Sequence, residues 1–254
     1  PAMGTFFEKM TGDEFVLLDG AMGTRLQKAG LPVGVHPEVW TLEHPDALEA
    51  IHRAYLDAGS KILYANTFGA NRKKLADSGH GVAEIVSASV EAAKRAADGR
   101  ALVALDVGPI GELLSPSGTL GFDEAYDIFR EIVRAGEDAG ADLVAFETFS
   151  DLQELRAAVL AAKENSALPV FATMSFEEGG RSFTGCLAES FAVTIAGLGV
   201  DALGVNCSLG PKQLMPVIER IGSVTDLPLI VKANAGLPDA RDGHYDVTAE
   251  EFAS

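Results

Sequence analysis

The chain has 254 residues, 47% of them hydrophobic, and a formal net charge of −17. That length and apolar content support a large core, while the charge argues against a nucleic-acid surface or an anionic-membrane surface. No apolar run approaches the roughly 20 residues of a membrane span, the start lacks a signal-peptide pattern, and the two cysteines, Cys186 and Cys207, give no disulfide framework. A reducing, cytoplasmic setting is expected.

Pro1–Gly4 reads as an expression remnant, and residues 5–254 as the domain proper. Along it, short apolar runs alternate with segments of helical periodicity. The first strand candidate is Val16–Ala21. A helix over Pro45–Ala58, opened by His44-Pro45-Asp46 and stopped by Gly59, leads into the second strand, Ile62–Phe68. Val82–Ala97 is Ala-rich, ends at Gly99 and precedes strand Ala101–Val107. Helix Asp123–Ala139 stops at Gly140 before strand Leu143–Phe149, and helix Leu152–Glu164 precedes Pro169 and strand Val170–Phe176. Ser190–Leu198 ends at Gly199 before strand Ala202–Cys207, and Gln213–Ile221 ends at Gly222 before strand Leu229–Ala233. Thr248-Ala-Glu-Glu251 is a capping box that opens another helix.

The strand candidates are nearly continuous Val/Ile/Leu/Phe runs, as expected where both faces of a parallel sheet are covered. Glycine helix stops that feed straight into the next strand repeat at Asp57-Ala-Gly-Ser60, Asp138-Ala-Gly-Ala-Asp142 and Leu198-Gly-Val-Asp201. No Gly-x-Gly-x-x-Gly follows the first strand, which weakens a dinucleotide-binding sheet. The fold expected is α/β, a (β/α)₈ TIM barrel. Seven strand candidates do not close eight units, so the chain is read as C-terminally incomplete, lacking its last βα unit.

In such a barrel the polar residues that close each strand share one site. The strand ends offer Asp19, Asn66 with Thr67, Asp106, Glu147 with Thr148, Ser175, Asn206 with Cys207, and Lys232 with Asn234. Asp19 and Glu147 end apolar strands, so each must be solvated, paired or bound to a cation; converging carboxylates suit an ammonium group or acid/base work. The asparagines offer donors and acceptors for a small polar ligand, although each alone is a common turn former. A thiolate placed as Cys207 is has three fates: nucleophile, metal ligand or inert filler. Cys186, after the turn Glu178-Gly-Gly-Arg181, reads as a thiol without chemistry. The five histidines show no ligand spacing, and no G-x-S-x-G elbow or Walker loop occurs. The loop Gly108–Gly118 is turn-rich and placed to lie over the site.

The runs Asp19-Gly-Ala-Met-Gly-Thr24, Ala65-Asn-Thr-Phe-Gly-Ala-Asn71, Glu147-Thr148, Gly204-Val-Asn-Cys-Ser-Leu-Gly-Pro211 and Lys232-Ala-Asn-Ala-Gly-Leu-Pro238 together resemble the homocysteine S-methyltransferases. The form of the first run is most similar to the homocysteine-binding module of cobalamin-dependent methionine synthases. The resemblance implies a zinc enzyme on a (β/α)₈ barrel that activates the homocysteine thiolate. It makes Cys207 one of three cysteine ligands to zinc; the other two, an adjacent pair on the final strand of the family, are not in this sequence. It places Asp19 and Glu147 at the homocysteine amino group, Thr67 and Thr148 beside the polar end of the substrate, and Asn234 next to the metal as a weak fourth ligand without substrate; Asn206 is expected to bind substrate from its place at a strand end. None of these is expected to be a catalytic acid or base.

The methyl donor implied is a methyl-corrinoid (cobalamin), carried by a separate corrinoid-binding protein or domain. Two other readings stand beside this one. One is a methyltransferase of the same fold that serves another methyl donor or thiol, the other a metal-free barrel that binds a small molecule or partner without catalysis. A Cys-Cys pair encoded past Ser254 would separate the enzyme from the binding module.

Overall fold

The computed structural model describes residues 15–236, 245 and 247–253. Pro1–Gly4, the Leu237-Pro238 end of the last family motif and His244 lie outside these residues. Among the described residues the elements run α1 (Gly23–Lys28), α2 (Pro37–Glu43), α3 (Pro45–Asp57), β1 (Ile62–Tyr64), α4 (Val82–Ala97), β2 (Leu102–Val107), α5 (Phe122–Asp138) and β3 (Leu143–Phe149). They continue with α6 (Leu152–Asn165), β4 (Val170–Met174), α7 (Ala188–Gly197), β5 (Ala202–Asn206), α8 (Pro211–Gly222), β6 (Leu229–Lys232) and α9 (Ala249–Ala253). The strands form one parallel sheet in sequence order, β1 to β6, with a helix in each crossover. Among the described residues no helix is long and apolar enough to cross a membrane.

The sheet is strongly curled. In a flat sheet, strands about 4.8 Å apart would put β1 and β6 about 24 Å from each other. Instead the ammonium of Lys232 on β6 lies 3.6 Å from the ring centre of Tyr64 on β1. The curl separates two apolar layers by the period-2 alternation of strands. Inside it, Ile62, Tyr64, Ala104, Leu143, Ala145, Phe171, Ala202 and Ile230 form one cluster. Their neighbours Leu63, Val103, Leu105, Val144, Phe146, Val170, Ala172, Leu203 and Val205 point outward and pack with the helices.

The first expected strand, Val16–Ala21, is reduced to a single parallel bridge between Leu18 and Ile62. Asp19 N donates to the Ile62 carbonyl at 3.1 Å, and a continuing ladder would next take the Tyr64 N–H to the Asp19 carbonyl. The Asp19 carboxylate captures that N–H instead, at 2.7 Å, and the ladder stops. Two short helices, α1 and α2, occupy the stretch between Asp19 and α3, for which no helix was predicted. The capping box at Thr248 forms as expected: Thr248 Oγ1 accepts from Glu251 N at 3.2 Å and Thr248 N donates to the Glu251 carboxylate at 3.1 Å.

Gly204 is required where β5 meets β6. A Cβ there would lie 1.9 Å from the Ile230 carbonyl oxygen, so no other residue lets the two strands pair beside the site.

Candidate functional site

The same alternation that builds the inner apolar cluster carries polar side chains one step further along each strand. Counting in twos from Ala104, Ala145, Phe171, Ala202 and Ile230 reaches Asp106, Glu147, Thr173 and, at the strand ends, Asn206 and Lys232. The carboxyl ends of five strands thus face one another across the curl, and Asp19 joins them from the first bridge.

Lys232 is the centre of the charged half. Its Nζ is 3.1 Å from a Glu147 carboxylate oxygen and 3.8 Å from Asp19 Oδ1, with the Tyr64 ring face beneath it. Burial alone would pull the lysine down. Glu147, then Tyr64, Asp19 and Asp106, outweigh it and hold the ammonium well above its ordinary range. Asp19 is pushed up to about 7 by burial, against the opposing pull of Lys232 and of the Tyr64 N–H. Asp106 is raised well above the usual carboxylate range by burial and then by Glu147. One ammonium is thus set among three carboxyl groups, and Asp19 Oδ1 and Asp106 Oδ1 are buried without a hydrogen-bond partner. An unpaired buried carboxylate oxygen is costly, and a proton or an incoming ligand removes that cost.

The sulfur half is built by Asn206. Its Oδ1 accepts from Thr148 N and from Thr173 Oγ1, both at 2.8 Å. Its Nδ2 donates to Thr148 Oγ1 at 2.7 Å and faces Cys207 Sγ at 3.4 Å. Thr148 Oγ1 is 3.8 Å from the same sulfur. Thr148, Cys207 and Ser208 have φ of 66°, 57° and 61°. This left-handed backbone is rare for a β-branched threonine, costs about 1–3 kcal/mol per residue and persists only where the surroundings impose it. Asn206 imposes it on Thr148 by taking the peptide N–H, and the Cys207 N–H is held by the Lys232 carbonyl at 3.0 Å. Burial raises the Cys207 thiol above its ordinary value, with Thr148 and Asn206 pulling the other way. Lys232 also favours the thiolate and Glu147 opposes it, but burial outweighs the lowering groups, and Cys207 rests as a thiol.

The remaining expected residues fall around these two halves. Thr67 is buried, and its hydroxyl donates to the Asp106 carbonyl at 2.7 Å while accepting from Asp106 N at 3.1 Å, which pins the end of β2 beside β1. Asn234 N donates to the Leu209 carbonyl at 3.0 Å, tying the loop after β6 to the loop that carries Cys207. Asn66 turns away from the centre, donating to the Pro37 carbonyl and to Thr41 Oγ1, both at 3.1 Å. Cys186 lies apart, its thiol donating to the Leu187 carbonyl at 3.3 Å.

Tyr64, Thr173 and the role of Lys232 were not singled out from the sequence. The signal that reaches them is the parity of each strand, counted from its inward apolar residues. Two buried glutamates also went unnoticed. Glu38 accepts from Gly69 N at 2.6 Å and Glu154 from Ile110 N at 2.7 Å, clamping the loops after β1 and β2. Each is an acid on a helix that reaches a loop distant in sequence, so no local pattern marks it.

Among the described residues no group of three or more His, Cys, Asp or Glu is placed to hold a metal ion. The described residues supply a single thiol, Cys207, toward a zinc site that needs about four ligands.

A parallel α/β sheet whose polar groups gather at the carboxyl ends of its strands is the layout of an α/β enzyme. The family profile described as homocysteine S-methyltransferase matches residues 16–254. Methionine synthase of Mycobacterium tuberculosis and methionine synthase of Mycobacterium leprae are each 32% identical to this chain over 256 residues, covering 92% of it and 21% of the relative. Among solved structures, the metallated form of the homocysteine methyltransferase MmuM from Escherichia coli superposes with a TM-score of 0.81 at 24% identity, covering 91% of this chain and 87% of that one. Its apo form superposes with a TM-score of 0.75 at 25% identity, covering 91% and 86%. The chain belongs to the homocysteine S-methyltransferase family of methyltransferase enzymes. It spans about a fifth of the length of the methionine synthases it matches.

Proposed function

We propose that this chain is the homocysteine-binding unit of a methyltransferase that makes methionine. The observation that carries this reading is the adjacency of the two halves of the site. Glu147, a partner of the buried ammonium, is followed directly by Thr148, whose hydroxyl lies 3.8 Å from Cys207 Sγ. An amino acid that carries both an ammonium and a sulfur, close together, matches that pairing.

In this reading Asp19 and Glu147 accept the homocysteine ammonium. Thr148 and Asn206 line the path from there to Cys207, and Thr67 holds the neighbouring Asp106 backbone. Asn234 stands on the loop facing Cys207. Because the Asp19 carboxyl is held near 7, its share of ammonium binding strengthens as pH rises through that value.

Cys207 would be one thiolate ligand to zinc, the remaining ligands coming from outside the described residues. Zinc, when bound, lowers the pKa of a coordinated thiol and so supplies a sulfur nucleophile at neutral pH. The methyl donor in this reading is a methyl-corrinoid presented by a corrinoid-binding domain or protein, supported by the resemblance of the run Asp19–Thr24 to cobalamin-dependent methionine synthases. The sheet is read as part of a (β/α)₈ barrel, a reading supported by its curl and by the first bridge continuing it beyond β1. The free state of both cysteines fits a reducing, cytoplasmic setting.

The test is homocysteine-dependent demethylation of methylcobalamin by the intact protein. Cys207→Ser is expected to abolish it and to lower the zinc content, while Cys186→Ser leaves both near wild type. Equal loss from the two substitutions would overturn the assignment.

A further inference from the structure

The position that this reading gives to the substrate ammonium is already filled. Lys232 Nζ lies between the two acids, 3.1 Å from Glu147 and 3.8 Å from Asp19 Oδ1. A second ammonium placed between the same oxygens would sit within a few ångströms of the first, in a largely buried site where like charges repel strongly. Yet one ammonium stands against three carboxyl groups, and among the described residues Asp19 Oδ1 and Asp106 Oδ1 have no hydrogen-bond partner. Lys232 is on the last residue of β6, and its four-carbon stem lets the ammonium relocate without moving the strand.

We propose that Lys232 is a specificity-determining residue, an internal ammonium that a zwitterionic α-amino acid displaces and then receives on its carboxylate. The claim rests on the substrate assignment above and goes beyond it. In an α-amino acid the ammonium and carboxylate are attached to the same carbon. When the ligand ammonium takes Asp19 and Glu147, its carboxylate arrives beside the displaced Lys232. The ligand ammonium takes over the acids that Lys232 gives up, Lys232 gains the ligand carboxylate, and no charge is left buried alone. An amine without a carboxylate must expel Lys232 and leave it unpaired. An acid without an ammonium finds Lys232 held by Glu147. The site thus selects the zwitterion over either half of it, which the acid pair alone would not do.

The experiment compares, in the intact protein, the affinities of homocysteine, of aminopropanethiol (homocysteine without its carboxylate) and of mercaptobutyrate (without its ammonium). Titration calorimetry of wild type and Lys232→Met gives the ratios. Wild type is expected to favour homocysteine over aminopropanethiol by about tenfold or more, and Lys232→Met to shrink that ratio by about tenfold, chiefly through tighter binding of the amine. A purely structural lysine would weaken all three ligands together, and an unchanged ratio overturns the proposal.

Should Lys232→Met fail to fold, a structure of wild type with an α-amino acid bound decides the question. Lys232 Nζ within about 3 Å of the ligand carboxylate supports the proposal; Nζ still seated between Asp19 and Glu147 overturns it. The two readings also fail separately. Methyl transfer to homocysteine with an unchanged ratio removes the role of Lys232 and leaves the proposed function. A ratio that collapses in a protein unable to methylate homocysteine does the reverse.

Discussion

Among the described residues, two places bury polar atoms that lack hydrogen-bond partners, and they do so in opposite ways. At the strand ends, Asp19 and Asp106 leave oxygens without a hydrogen bond beside Lys232 and Glu147, whose side chains keep 17% and 15% of their surface exposed. On α3, His52 is completely buried, and neither ring nitrogen has a hydrogen-bond partner. Its burial pushes the imidazole down to about 4, against a weaker upward pull from Glu49. The first place holds an ammonium among several carboxyl groups; in the second, burial outweighs the one acid that acts on the ring. Unpartnered burial alone therefore does not mark a functional site. What distinguishes the strand ends is the convergence of groups from distant strands on one point.

The comparison is most sharply broken by removing the cation. Lys232→Met leaves the acids without their counter-ion and is expected to cost about 3–5 kcal/mol of stability near pH 8, measured by denaturant unfolding. The cost should shrink at acidic pH, where the carboxyl groups protonate; a cost independent of pH would mean that Lys232 acts by packing alone.

The next effect is a gain. The folded state raises Asp19 from 3.8 to about 7, so it binds a proton that the unfolded chain has already released. Whatever stability this group gives is complete below pH 3.8 and is lost as pH rises through about 7. Asp19→Asn should accordingly be more stable than wild type near pH 8, by up to about 4 kcal/mol, with the difference vanishing near pH 4. Unfolding curves across that range that never cross or diverge would contradict it.

The smallest effect belongs to His52, and its sign is reversed. The imidazole falls from 6.5 to about 4 on folding, so the unfolded chain binds the extra proton and stability is lost as pH drops from 6.5 toward 4. The loss should reach about 3 kcal/mol in wild type, and His52→Leu should remove that part of the acid sensitivity. If the variant keeps the full acid dependence, the two buried places are less separate than the geometry indicates.

Much of the architecture was legible before any coordinates. Glycine stops after α4, α5 and α7, followed by apolar runs, located the crossovers, and the strand-end positions of Asp19, Glu147, Asn206 and Cys207 followed from them. Element ends were harder. Strand Ala202–Cys207 stops at Asn206, because Cys207 and Ser208 turn into left-handed backbone that apolar periodicity does not encode. Strand Ile62–Phe68 stops at Tyr64, where the Thr67 hydroxyl takes up the backbone of Asp106 and the chain leaves the ladder.

What the sequence determined by itself was the alternation of apolar strands and capped helices, and with it a parallel sheet that carries its polar residues at one end. Those are local and periodic properties, fixed by side-chain size, backbone preference and spacing. Only the tertiary structure decided which polar residues meet. Lys232 and Asp19 are far apart along the chain, and they approach because the curl of the sheet brings β6 to β1. The resulting balance of three carboxyl groups against one ammonium depends on burial and distance, and no stretch of the chain specifies either alone.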